Sequence, residues 1–170
     1  MNFKFIQNSL RAGIFVLFSI TLTANTYADY NNALDARLNT FKQECKDMIR
    51  PARYEGSRIT YYAQSKENQK KSVEVFLLVD SEYSFAISGK ECSTALTIRF
   101  YDSENADKRM LIKEIKSAQL LNTLVSSNDL NALYARKFPK AGRLKNVVVE
   151  YEIAGGADKT EAIVLVIGYK

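Results

Sequence analysis

EAIVLVIGY, residues 161–169, is almost wholly apolar and rich in β-branched side chains. A strand of this kind has no polar face to turn to water, so it is expected at a central or doubly covered position. Upstream, LKNVVVEYEI (144–153) places Val147, Val149, Tyr151 and Ile153 on one face and Glu150 and Glu152 on the other. Ala154-Gly155-Gly156-Ala157-Asp158-Lys159 supplies turn residues between the two stretches, which are therefore expected to form a terminal hairpin.

Working toward the N-terminus, residues 93–101 alternate cleanly. Leu96, Ile98 and Phe100 fall on one side, Thr97, Arg99 and Tyr101 on the other. Residues 83–88 and 57–64 carry the β-branched and aromatic side chains of strands. In 72–80, Val73, Val75, Leu77 and Val79 share a face. The other face turns from Glu74 to Phe76 and Leu78, which suggests cover on both sides. The stretch 109–116 fits a strand or a helix, with strand preferred.

Two regions read as helical. Leu34, Leu38, Phe41, Cys45 and Met48 form one stripe over 30–49, with Asn31 or Asn32 as cap and Pro51 as stop. From Ser117, Leu120, Leu121, Leu124 and Val125 follow helical spacing, then Ser126-Ser127-Asn128-Asp129 reads as a capping box. Leu130, Leu133, Tyr134 and Phe138 carry the apolar face on to Pro139. The expected fold is α+β: one antiparallel sheet of about six strands, with both helical regions packed on one face. A closed barrel plugged by a helix is the alternative.

The first 28 residues have the layout of a cleaved secretory signal. Lys4 and Arg11 lead, Ala12–Thr23 is apolar, and Ala24-Asn25-Thr26-Tyr27-Ala28 ends small. The apolar run is shorter than the roughly 20 residues a membrane span needs. A single domain is expected over 29–170, without a transmembrane segment, in the periplasm or outside the cell. Without Lys4 and Arg11 the 24 basic residues become 22, against 19 acidic, a mild net +3.

In such an oxidising compartment Cys45 and Cys92, the only cysteines, are expected to form a disulfide. The loop would span about 47 residues and add about 4 kcal/mol in the chain-entropy model.

The chain has no His, which removes Ser–His and Cys–His catalysis and the commonest metal ligand. No metal site and no cofactor are expected. Asp102–Asp107 departs from the calcium-loop pattern, with Asp107 where Gly is needed. Glu74, Glu82, Glu91, Glu150 and Glu152 are the carboxylates a glycosidase-like site could use, although Glu150 and Glu152 read as a solvated strand face.

The densest charge lies in ARKFPKAGRLK (135–145), with Arg136, Lys137, Lys140, Arg143 and Lys145 beside Tyr134. Such a run could hold an acidic protein surface, a phospholipid headgroup or another polyanion. It is equally what the C-terminal turn of a helix carries against its own dipole. Arg50, Arg53 and Arg58 form a looser group. The reading that follows is an exported, non-catalytic binding protein of a bacterial envelope. It would be an inhibitor, an immunity-type protein or an assembly partner, acting by protein–protein contact and not on nucleic acid. The alternatives are a secreted subunit or effector that binds a host or cell surface, and a His-free carboxylate-based hydrolase.

Export has a direct readout. Intact-mass analysis of the exported chain should place the N-terminus at Asp29 and find no titratable thiol before reduction. An intact Met1 with two reactive thiols would contradict it.

Overall fold

The computed structural model describes residues 32–117 and 122–170. The segment expected as a signal, the cap candidate Asn31, and Leu120 and Leu121 lie outside the described residues. The chain divides into two compact units, 1–39 and 40–170. Helix α1 covers 32–48 and runs from the first unit into the second. In the first unit its Leu34 and Leu38 are buried.

Among the described residues the second unit holds eight strands and a second helix. These are β1 (Arg53–Tyr62), β2 (Gln69–Phe76), β3 (Tyr83–Ser88), β4 (Leu96–Tyr101), β5 (Leu111–Ser117), β6 (Asn122–Ser126), α2 (Ser127–Lys137), β7 (Asn146–Ile153) and β8 (Glu161–Tyr169). They make two antiparallel four-stranded sheets, ordered β1-β8-β3-β6 and β2-β7-β4-β5. The fold is thus α+β as expected, but the single sheet of about six strands is corrected to two sheets, and there is no closed barrel.

The terminal hairpin is also corrected. β7 pairs with β2 and β4, while β8 pairs with β1 and β3 in the other sheet. The loop after β7 crosses between sheets instead of turning back. It is held by Ala154 N–H on the Ala95 carbonyl, Gly155 N–H on Asn68 Oδ1 and Gly156 N–H on the Ser65 carbonyl. Gly155 lies so close to the 63–68 loop that a Cβ would fall 2.1 Å from the Lys66 carbonyl oxygen.

Burial explains why β8 is apolar throughout. Ile163, Leu165 and Ile167 point between the sheets, against a core that includes Phe85, Ile98, Phe100, Val149 and Tyr151. Ala162, Val164 and Val166 point the other way and are buried as well. The part of α1 from Thr40 onward lies on that outer side. Ile49 packs on Gly168, and Glu44 takes hydrogen bonds from Lys90 at 2.6 Å and from Asn122 at 3.1 Å. The absence of a side chain at Gly168 makes room for Ile49, in the turn after the helix.

Two further expectations change. Leu124 and Val125, read as part of a helix, lie in strand β6. Val125 faces the core and Leu124 stays 47% exposed, the alternation of a strand paired to β3. The capping box does start α2: Ser126 Oγ accepts from Asp129 N–H at 3.0 Å. Phe76 and Leu78, read as covered, are 72% and 64% exposed: Phe76 ends the edge strand β2, and Leu78 lies in the loop after it. No helix among the described residues is long and apolar enough to cross a membrane.

A Cβ at Gly168 would meet Ile49 Cδ1 at 2.7 Å and the Arg53 carbonyl oxygen at 2.9 Å. Gly168→Ala should therefore lower unfolding stability by about 1–3 kcal/mol. Gly56→Ala meets nothing within 4 Å, and its change in urea midpoint should be small. Equal midpoints for both variants would mean that α1 does not seat on Gly168.

Candidate binding surface at the end of helix α2

Helix α2 packs on β5, β3 and β6, so it closes the sandwich along the β5/β6 edge. Leu130 and Tyr134 point into the core. The Tyr134 hydroxyl donates to Asp102 Oδ2 at 2.9 Å. Asp102 Oδ1 accepts the Met110 N–H at 2.7 Å, so one carboxylate ties the β4–β5 loop to the helix. Burial, and then the bond to Asp102, pushes the Tyr134 hydroxyl up to about 12. Asp102 is therefore a structural acceptor, and among the described residues no group of acidic or Cys side chains is arranged to hold a metal ion.

The helix ends as the cationic run begins. The Phe138 N–H bonds to the Tyr134 carbonyl, and Ala141 N–H to that of Phe138. The chain then returns to the helix, where Leu144 N–H bonds to Asn131 Oδ1. Lys137 is committed to the fold: its ammonium donates to the carbonyls of Leu111 and Ile112 at 3.3 and 2.9 Å. Arg136, Lys140, Arg143 and Lys145 are exposed. Among the described residues none of these four forms an ion pair. Lys140 lines a shallow hollow together with Met110, Phe138, Pro139 and Ala141. The structure thus leaves five of the six expected contact residues exposed, of which Lys137 is engaged by the carbonyls of Leu111 and Ile112, while Tyr134 is buried. The looser arginine group is spread out: Arg50 pairs with Asp47 at 3.1 Å, and Arg53 and Arg58 stand exposed on β1.

The outward face of the β2-β7-β4-β5 sheet handles its charge differently. Arg99 contacts Glu114 at 2.6 Å, Glu152 at 2.5 Å and Glu150 at 3.3 Å. Arg109 pairs with Glu150 at 2.9 Å and stacks on the Tyr101 ring. Lys70 and Lys116 complete the layer on Glu152 and Glu114. Glu150 is only 6% exposed, so the solvated strand face read for Glu150 and Glu152 is corrected to a shielded ion-pair layer. The hydrogen bond from Arg99 holds the Glu152 and Glu114 carboxyls below the usual range. Neither is suited to act as a general acid near neutral pH. The other carboxylates are also engaged: Glu74 with Asn146, Glu82 with Lys170 and Glu91 with Lys159.

Arg99 is the residue whose role sequence reading missed. Its outward position was legible, but its place opposite Glu150 needs the β4–β7 register.

Both cysteines carry free thiols in the structure, Cys45 buried and Cys92 half-buried. Burial pushes them up to about 11 and about 12. The loop bearing Cys92 is fastened by the buried Glu161 carboxylate, which accepts from the N–H and hydroxyl groups of Ser93 and Thr94. At neutral pH little thiolate is present at either position.

No protein-family model matches this chain, and no curated protein matches it. Among solved structures it is similar to a chain from the disulfide-linked pili of Bacillus endospore appendages. The identity is 12%, the match covers 70% of this chain and 89% of that one, and the TM-score is 0.37. The Yersinia pseudotuberculosis-derived mitogen matches at 8% identity over 66% of this chain and 83% of its own, with a TM-score of 0.36. A CBM4 structure matches at 12% over 70% and 78%, with a TM-score of 0.39. These scores reflect partial likeness of chain path.

Arg99→Met should cost about 2 kcal/mol of stability by removing the cation that Glu114 and Glu152 share, while Glu150 keeps Arg109. Glu114 and Glu152 titrate lower in the folded chain than the unfolded value of about 4.3. Their contribution is therefore complete above that value and is lost as pH falls through the lowered folded pKa. Urea midpoints taken from pH 7 to 3 should fall more steeply for the parent than for Arg99→Met; parallel curves would count against the network.

Proposed function

We propose that this chain is an exported, non-catalytic binding protein of a bacterial envelope, acting through the end of α2 on an acidic surface of another protein. The observation that carries this reading is the contrast between two groups of cations. Arg99, Arg109, Lys70 and Lys116 are neutralised where they stand. Arg136, Lys140, Arg143 and Lys145 are exposed without any counter-ion among the described residues, and Lys140 lines an apolar hollow with Met110, Phe138, Pro139 and Ala141. Unpaired cations beside apolar surface suit a partner that brings carboxylates around an apolar anchor.

The same reading includes the export signal at 1–28 and a Cys45–Cys92 bridge formed as the chain folds in an oxidising space. The bridge would fix the second half of α1 to the loop that Glu161 already anchors. A binding role also fits the absence of His and the engagement of the strand carboxylates with Arg99.

The test is capture from envelope extract by the immobilised exported chain. Arg136→Glu combined with Lys140→Glu should reduce recovery of the specific partner about tenfold at low salt, while Arg53→Glu on β1 leaves it unchanged. Full recovery by the double variant would remove the proposal.

A further inference from the structure

The geometry points to a second, self-complementary surface: we propose that β2 pairs antiparallel with β2 of another copy of this chain, about a twofold axis through Ser72. β2 is the edge of its sheet, and among the described residues β7 is its one ladder partner. Across the sandwich β1 is the edge of the other sheet. Near the β1–β2 turn the gap between the edges is bridged, with Gln69 Nε2 on the Ala63 carbonyl at 2.7 Å and Lys71 Nζ on that of Tyr61 at 2.5 Å. Further along it opens into a cleft lined by Gly56, Arg58, Val73, Val75 and Ile167. Phe76, at the end of β2, is 72% exposed. An edge of this kind offers the N–H and C=O groups of every second residue for pairing.

Lysines on edge strands ordinarily oppose such pairing. Here Lys71 is turned onto the Tyr61 carbonyl. Lys70 lies on the outward face with Ser72, Glu74 and Phe76. Facing residues of two identical antiparallel strands lie symmetrically about the axis, so charge selects the register. A centre at Lys70, Lys71 or Glu74 sets that charge against itself. A centre at Val73 leaves Lys70 opposite Phe76 of the partner subunit. Only a centre at Ser72 sets Lys70 against Glu74 of the partner subunit, and it does so twice. It also lays Phe76 beside Asn68 of the partner subunit and diagonally along the stem of Lys70 of the partner subunit. Lys70 would then lie between its present partner Glu152, 3.5 Å away, and the new carboxylate. The product is one continuous eight-stranded sheet, and the α2 end stays outside the contact.

Sedimentation of the exported chain should show a concentration-dependent dimer. Lys70→Glu or Glu74→Lys alone should raise its dissociation constant about tenfold, from two like-charged pairs, and the two together should restore it. Ser72→Cys should give a reducible covalent dimer on mild oxidation, while the parent chain under the same oxidant does not. A monomer at every concentration overturns the proposal. So does a dimer that ignores both charge changes and fails to cross-link at position 72.

Discussion

The rest of the structure depends on burying β8 on both faces. Ile163, Leu165 and Ile167 fill the space between two sheets, and Ala162, Val164 and Val166 are shut away on the opposite side. A strand with no wet face needs two covering layers. The second sheet supplies one, and the later part of α1 supplies the other. Gly168 lets Ile49, just after the helix, come close, and Glu161 at the head of β8 fastens the loop that carries Cys92. The remaining edges follow from this centre. α2 closes one side of the sandwich, and β1 and β2 leave the other open.

Charge is divided on the same scaffold. The outward face of the second sheet is internally neutral, with Arg99 reaching three glutamates and Arg109 shielding the most buried of them. That layer holds strands together and leaves little for a ligand. The end of α2 and the loop after it are the opposite case, since Lys137 is spent on the fold and Arg136, Lys140, Arg143 and Lys145 stay exposed without an ion pair among the described residues. Stability and recognition thus use separate sets of charges.

Much of this was legible in the sequence. The alternation of Leu96, Ile98 and Phe100 against Thr97, Arg99 and Tyr101 matches β4 residue for residue. The apolar run of β8 marked its double burial, and Ser126 with Asp129 marked the start of α2. What local pattern could not carry was pairing. Gly155-Gly156 suits a hairpin turn and equally a tight crossing over the 63–68 loop, and only the partners of β7 and β8 decide between them. Leu124 and Val125 fit a helix stripe until β3 is there to accept Val125. For the candidate site, the run 136–145 was visible as charge. The inward turn of Tyr134 and Lys137 depends on Asp102 and on the carbonyls of β5, which lie far away in sequence.

Cross-strand proton contacts within β8 test the central claim most directly. In a nuclear Overhauser spectrum, backbone protons of Val164 to Val166 should contact Ser57 to Ile59 on one side and Ala86 to Ser88 on the other. Contacts from these residues to Val147–Tyr151 along a shared ladder would mean a terminal hairpin in one sheet, and the two-sheet account would fall.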